Sequence, residues 1–148
     1  MSRARASPLL EIVGRRIHWA GGIGAGMRLK LIVQTWLLTV LEALAETVAL
    51  AETAGLDPAR FLEAIAGGPI DLPYAQLKGG AMRDRAFDPA FPLRLVPKDA
   101  RLAAELAVGE HELIAPMLEL VIRRAETAIE SGHGSEDMAA IFYASGRP

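Results

Sequence analysis

A chain of 148 residues that is 51% hydrophobic and 23% charged is long enough to bury a core, which excludes a disordered tail or a fibrous repeat. With 16 basic against 18 acidic residues the net charge is −2, so there is no bulk drive towards nucleic acid. Cysteine is absent, which removes disulfides, thiolate metal sites and cysteine nucleophiles and fits a reducing compartment such as the cytoplasm.

In chain order, residues 8–13 form a short amphipathic stretch ending at Gly14, too brief and too broken by Glu11 for a signal-peptide core. Residues 15–20 (RRIHWA) are β-branched and aromatic between glycines and predict one short strand. A glycine-rich turn over 21–26 then opens a helical pattern from Ala25 to Ala54, with Gly55 ending it as the residue just past the cap. At a rise of ~1.5 Å per residue this helix is roughly 45 Å long. It is apolar nearly all round, so it needs cover from several neighbours, some of them on another chain. Lys30, Gln34, Glu42 and Glu46 interrupt it, which predicts a buried helix of a soluble protein and no membrane partner. Glu42, Glu46 and Thr53 mark its expected exposed strip.

Asp57 and Pro58 suit the cap and first position of a helix over 58–66 that ends at Gly67. Asp71 is the expected cap of a helix over 72–82, followed by a loop over 83–92. Residues 91–110 are helical in pattern, and Pro97 predicts a later start or a kink there. A further helix over 116–130 stops at Ser131 and Gly132, and Ser135 or Asp137 caps a last one over 138–144. The fold class is all-α: a multi-helix bundle around one long central apolar helix, with at most one short N-terminal strand.

Few residues carry chemistry. The histidines are His18, His111 and His133, and none has a histidine three or four positions away, so no metal centre is expected. His111 reads as a surface side chain and His133 as a loop one; Arg83, Arg85, Arg123 and Arg124 read as solvated. The glycines run G-x-x-G-x-G with no second strand after the helix, which does not fit a dinucleotide-binding βαβ unit. Lys30 lies in the first turns of the apolar helix, just after a glycine turn that permits close approach. Such a lysine either snorkels to solvent or sits in a pocket as a proton donor and acceptor. Gln34 is one turn further on, so the two heads can address one small molecule. Free N–H groups at the helix start, Gly26 among them, favour a bound carboxylate. Lys98 and Asp99 follow Pro97, with Phe91 in the preceding loop. They read either as a charged first turn or as a second site element.

Together these segments resemble the C-terminal helical domain of the β-hydroxyacid dehydrogenases, the group of 3-hydroxyisobutyrate and 6-phosphogluconate-like dehydrogenases. The family's G-x-x-G-x-G-x-x-x-K-x-x-x-N is matched by Gly21, Gly24, Gly26 and Lys30, with Gln34 where asparagine is usual. Residues 46–56 (ETVALAETAGL), 88–103 (DPAFPLRLVPKDARLA) and 132–139 (GHGSEDMA) resemble three further family blocks, in order. The resemblance implies that Lys30 is the catalytic lysine, that Gln34 and Gly26 bind substrate, and that Lys98 and Phe91 face the nicotinamide end of NAD or NADP. It implies a small hydroxy-acid substrate and a homodimer. It also implies that residues 1–20 are the end of a preceding nucleotide-binding domain, with 21–148 as the helical substrate and dimerisation domain. Most dinucleotide contacts belong to that preceding domain, so this chain alone is expected to be inactive. A catalytically silent oligomerisation module of the same fold is the competing reading. An imine-reductase-like relative, which shares the long helix, usually lacks the lysine.

Overall fold

The computed structural model describes residues 3–107 and 115–146. His111 and the end of the helix expected to reach residue 110 lie outside them. The chain divides into two units, Met1–Lys30 and Leu31–Pro148. The all-α expectation holds: no strand forms among the described residues, and one isolated antiparallel bridge joins Pro92 to Asp137.

In the first unit, α1 (Arg3–Val13) ends where the Gly14 N–H reaches the Leu10 carbonyl at 3.0 Å. Residues 15–20, expected as a strand, are irregular. β-propensity alone does not make a strand: the ladder needs a partner, and none forms among the described residues of this unit. Gly24 has φ +81°, a backbone region closed to most side chains, and its carbonyl accepts from Arg28 N–H at 3.1 Å as the long helix begins.

That helix, α2 (Ala25–Thr53), ends in a Schellman turn. Gly55 sits at φ +74°, Leu56 N–H bonds the Ala51 carbonyl at 2.9 Å and Gly55 N–H the Glu52 carbonyl at 3.0 Å. In the second unit, Asp57 caps α3 (Pro58–Ile65) by accepting from Ala59 N–H at 2.9 Å, as its sequence predicts. Asp71 does not cap α4 (Pro73–Asp84), whose cap residue Leu72 offers no side-chain acceptor. It is used one step earlier, taking Gly67 N–H at 2.7 Å and Gln76 Nε2 at 2.8 Å across the α3–α4 turn. Of the two outcomes expected at Pro97, a later start or a kink, the later start is found. A 3₁₀ turn (Leu93–Leu95) leads into α5 (Val96–Ala107), which places the proline in the first turn, where an N–H would have no partner anyway. The last helix pair is α6 (Pro116–Ala128) and a 3₁₀ helix (Met138–Ala144), joined through a wide turn in which Gly132 takes φ +99°.

The core lies where Leu38, Leu41, Ala45 and Val48 of α2 meet Met82, Leu93, Val96, Val121 and Ile141, all fully buried. Glu42 belongs to the same stripe and is fully buried as well, contrary to the exposed strip expected for it; Glu46 and Thr53 are exposed. Its partner is Arg124 on α6, Nε to Oε1 at 3.2 Å, so Arg124 is half-buried and not on a solvated face. The N-terminal part of α2 is not the buried helix its composition suggests. Ile32, Val33 and Trp36 are exposed, Trp36 at 64%. By length and composition α2 could cross a membrane, and a third of its most apolar window is buried within the chain.

Candidate functional site

The residues singled out from sequence fall into two groups. Gly26 and Lys30 lie in the first two turns of α2, both exposed, and Lys30 makes no ion pair or hydrogen bond among the described residues. An ammonium left free on an apolar helix is available to a ligand or to solvent. Gln34, one turn later, is half-buried and makes no hydrogen bond among the described residues.

Phe91 and Lys98 flank the start of α5. Phe91 is half-buried against the core, while the Lys98 side chain is 63% exposed and its Nζ lies 2.8 Å from Oδ1 of Asp99. Asp99 is itself buried, in the first turn of α5, where the helix macrodipole favours a carboxylate. The Lys98 ammonium is thus held by Asp99 while most of its side chain faces solvent.

Lys78, which carries no role in the sequence analysis, and Asp137, expected there only as a possible helix cap, form the tightest polar cluster. Lys78 of α4 is buried, and its Nζ reaches Oδ1 of buried Asp137 at 2.6 Å. Oδ1 also accepts from Ala139 N–H at 3.0 Å, which caps the last 3₁₀ helix as expected of Asp137. Oδ2 accepts from Ala90 N–H at 3.2 Å and Phe91 N–H at 3.3 Å. Burial pushes the Asp137 carboxyl up, but the Lys78 ammonium and the N–H groups of Ala139 and Phe91 outweigh it and hold it below the usual carboxylate range. Tyr74 donates to Met138 Sδ at 3.2 Å, and its phenol is raised by burial and by the Asp137 charge. The signal for Lys78 was present: it shares the buried stripe of α4 with Ala75 and Met82, where a lysine has to find a partner.

Other features are less able to do chemistry. A cavity of about 400 Å³ is lined by Leu31, Ile32, Thr35, Ala103, Leu106 and Leu118 among others, with no titratable group. A second, of about 310 Å³, holds Glu52 and Arg85, which neutralise each other through a two-fold 2.9 Å contact. Arg85, read as solvated, also lies over the Phe142 ring at 4.2 Å. His133 stacks on Tyr143 at 3.8 Å and approaches Glu136 at 3.1 Å. Among the described residues no group of three or more His, Cys, Asp or Glu converges as a metal site would require.

Comparison with known proteins fits these elements into a family. The family model described as the NAD-binding region of NADP-dependent 3-hydroxyisobutyrate dehydrogenase matches residues 24–144. Glyoxylate/succinic semialdehyde reductase 2 of Arabidopsis thaliana is 31% identical over 95% of this chain and 39% of its own length. The 2-hydroxy-3-oxopropionate reductase of Escherichia coli is 35% identical over 70% of the chain and 35% of its own length. The chain therefore spans less than half the length of these curated relatives. A 3-hydroxyisobutyrate dehydrogenase from Salmonella typhimurium shares the fold, with a TM-score of 0.85 at 23% identity over 95% of this chain and 49% of that one. With the family model covering most of the chain and the lysine-bearing helix inside the match, the chain belongs to the β-hydroxyacid dehydrogenase family.

Proposed function

We propose that this chain is the substrate-binding and dimer-forming half of an NAD(P)-dependent dehydrogenase that oxidises a small β-hydroxy acid. The observation that carries the reading is Lys30: an amine without ion pair or hydrogen bond among the described residues, two turns into the helix that the family model spans and directly after the glycine turn. The amine accepts the proton of the substrate hydroxyl as the carbinol C–H bond breaks, and the resulting ammonium donates a hydrogen bond to the new carbonyl oxygen. In the reverse direction it returns that proton. Gln34, one turn along, hydrogen-bonds the substrate with its amide. Its chain is one methylene longer than the family's asparagine, so its head group reaches further and suits a shorter acid. The N–H groups of the first turn, Gly26 among them, face the substrate carboxylate.

NAD or NADP, when bound, supplies the hydride acceptor. The donor set on this chain fits only the nicotinamide end of such a group: Lys98, an exposed lysine whose ammonium is paired with Asp99, and Phe91, an aromatic in the segment leading to it. The phosphates and adenosine fall to a nucleotide-binding half outside these 148 residues. Exposed Ile32, Val33 and Trp36 support a homodimer, since a contiguous apolar strip on a helix is normally covered.

The test uses the full-length parent. Lys30→Ala lowers kcat for short β-hydroxy acids by about 10²–10⁴ while the circular dichroism spectrum is kept. The isolated chain shows no turnover with either dinucleotide. Equal rates in parent and variant refute the assignment and leave a catalytically silent assembly domain in its place.

A further inference from the structure

Phe91 is held at both ends of its peptide unit by one short stretch of chain. Its N–H donates to Asp137 Oδ2 at 3.3 Å, and its carbonyl accepts from Met138 N–H at 2.8 Å. The neighbouring contacts follow the same path: Asp137 N–H to the Phe87 carbonyl at 2.9 Å, and Leu93 N–H to the Glu136 carbonyl at 2.8 Å. The segment leading to Lys98 therefore takes its shape from residues 136–138.

A helix cap does not explain this arrangement. Serine or asparagine caps a helix as well as aspartate does, with no charge to bury. Here a full ion pair is buried, and taking each ion out of water is costly before its contacts are counted. What the ionised carboxylate adds is capacity: two oxygens accept from four donors at once, and two of those donors are Ala90 and Phe91. Lys78 supplies the charge that keeps both oxygens acceptors.

We propose that the Lys78–Asp137 pair is the positioning device of the cofactor-facing segment, fixing the Phe91 peptide and with it the approach of α5 and Lys98 to the nicotinamide end. Neither residue touches the reacting atoms. The inference rests on the reading of Phe91 and Lys98 given under Proposed function.

The experiment compares three variants in the full-length parent. Asp137→Ser keeps the cap to Ala139 but is too short to hold Phe91. Asp137→Asn keeps the volume but turns an acceptor oxygen into a donor. Lys78→Met removes the counter-charge. Dinucleotide binding is read by NAD(P)H fluorescence titration, and KM is measured separately for dinucleotide and hydroxy acid on protein shown to be folded by circular dichroism.

Losing charge-assisted hydrogen bonds at Phe91 raises the dinucleotide Kd and KM about 10-fold or more in Asp137→Ser and Asp137→Asn, with a smaller rise in Lys78→Met. The hydroxy-acid KM changes by less than about 3-fold, because Lys30 and Gln34 are untouched. A purely structural cap would be rescued by serine, so a folded Asp137→Ser protein that binds dinucleotide like the parent overturns the proposal. If the aspartate variants do not fold, Lys78→Met decides in the same way. If the unaltered parent neither binds dinucleotide nor oxidises hydroxy acids, the dehydrogenase reading fails first and this inference with it. An active parent with an unperturbed variant sinks the positioning role alone.

Discussion

Glu42 offers the sharpest test of the core. Both of its carboxylate oxygens are buried without a hydrogen-bond partner, and Arg124 Nε at 3.2 Å is its one opposite charge among the described residues. Burial lifts its pKa from the ordinary 4.5 to about 7, Arg124 opposes that and Glu46 adds to it. Below pH 4.5 the group is protonated folded or unfolded and costs nothing. As pH rises the unfolded chain ionises first, so stability falls until about pH 7 and stays low above it. A rise of that size is worth about 3 kcal/mol at most. Glu42→Gln holds the neutral form at every pH, and Arg124 keeps its bond to the Ala144 carbonyl, so no new orphan arises. Urea unfolding followed by far-ultraviolet circular dichroism measures the difference. The variant gains about 3 kcal/mol at pH 8 and less than about 1 kcal/mol at pH 5. Every other titrating group is common to both proteins and cancels. An equal gain at both pH values, or none at pH 8, refutes the argument.

Two further outcomes follow from packing. Gly79 faces α3, where an added Cβ would lie 2.8 Å from Leu62 Cδ2 and 3.4 Å from Leu44 Cδ1. Gly79→Ala already sets that Cβ against buried Leu62, which offsets its gain in helix propensity, and Gly79→Val costs about 1–3 kcal/mol in urea unfolding. Trp36→Glu, placed in the exposed strip with Ile32 and Val33, converts the proposed homodimer to monomer in multi-angle light scattering while leaving the helical spectrum intact. A monomeric parent, or a dimer indifferent to the glutamate, removes the dimer proposal.

Local signals were legible where a residue acts on its own backbone. Asp57, Pro58, Gly55 and Gly132 each announce a helix end by chemistry that needs no distant partner, and each sits where its type suggests. Signals that depend on a partner were not. Residues 15–20 carry strand propensity but form no strand pairing among the described residues of their unit. Asp71 has a capping side chain, but Gly67 and Gln76 claim it first. Glu42 was placed outside because charge outweighed position, although Leu38, Leu41, Ala45 and Val48 put it on the inner stripe. The long helix illustrates the same limit. Its apolar composition runs from Leu29 to Ala51, yet one part meets α4, α5 and α6 side chains in the core while Ile32, Val33 and Trp36 remain exposed. Composition records that a surface wants cover, not which surface provides it. For the site, the lysine and glycine spacing was readable through family resemblance. The Lys78–Asp137 pair, whose members stand 59 positions apart in the chain, was not.

Two of the buried carboxylates of this domain, Asp137 and Glu42, answer the same cost in opposite ways. Asp137 is surrounded by donors, one of them charged, and its pKa falls despite burial. Glu42 faces a single guanidinium, keeps both oxygens unsatisfied by hydrogen bonds and rises to about 7. Solvation by protein dipoles, not burial as such, decides which carboxylate stays ionised in an interior. The satisfied group stays ionised to lower pH than an ordinary carboxylate and can act as a fixed anchor for a neighbouring loop. The unsatisfied one can only subtract from stability as pH rises. If Asp137 anchors the Phe91 segment, neutralising it disturbs that segment more than it disturbs the core; neutralising Glu42 does the reverse, and stabilises. That opposition of sign at two sites of like burial is what separates a polar group kept for geometry from one carried at a loss.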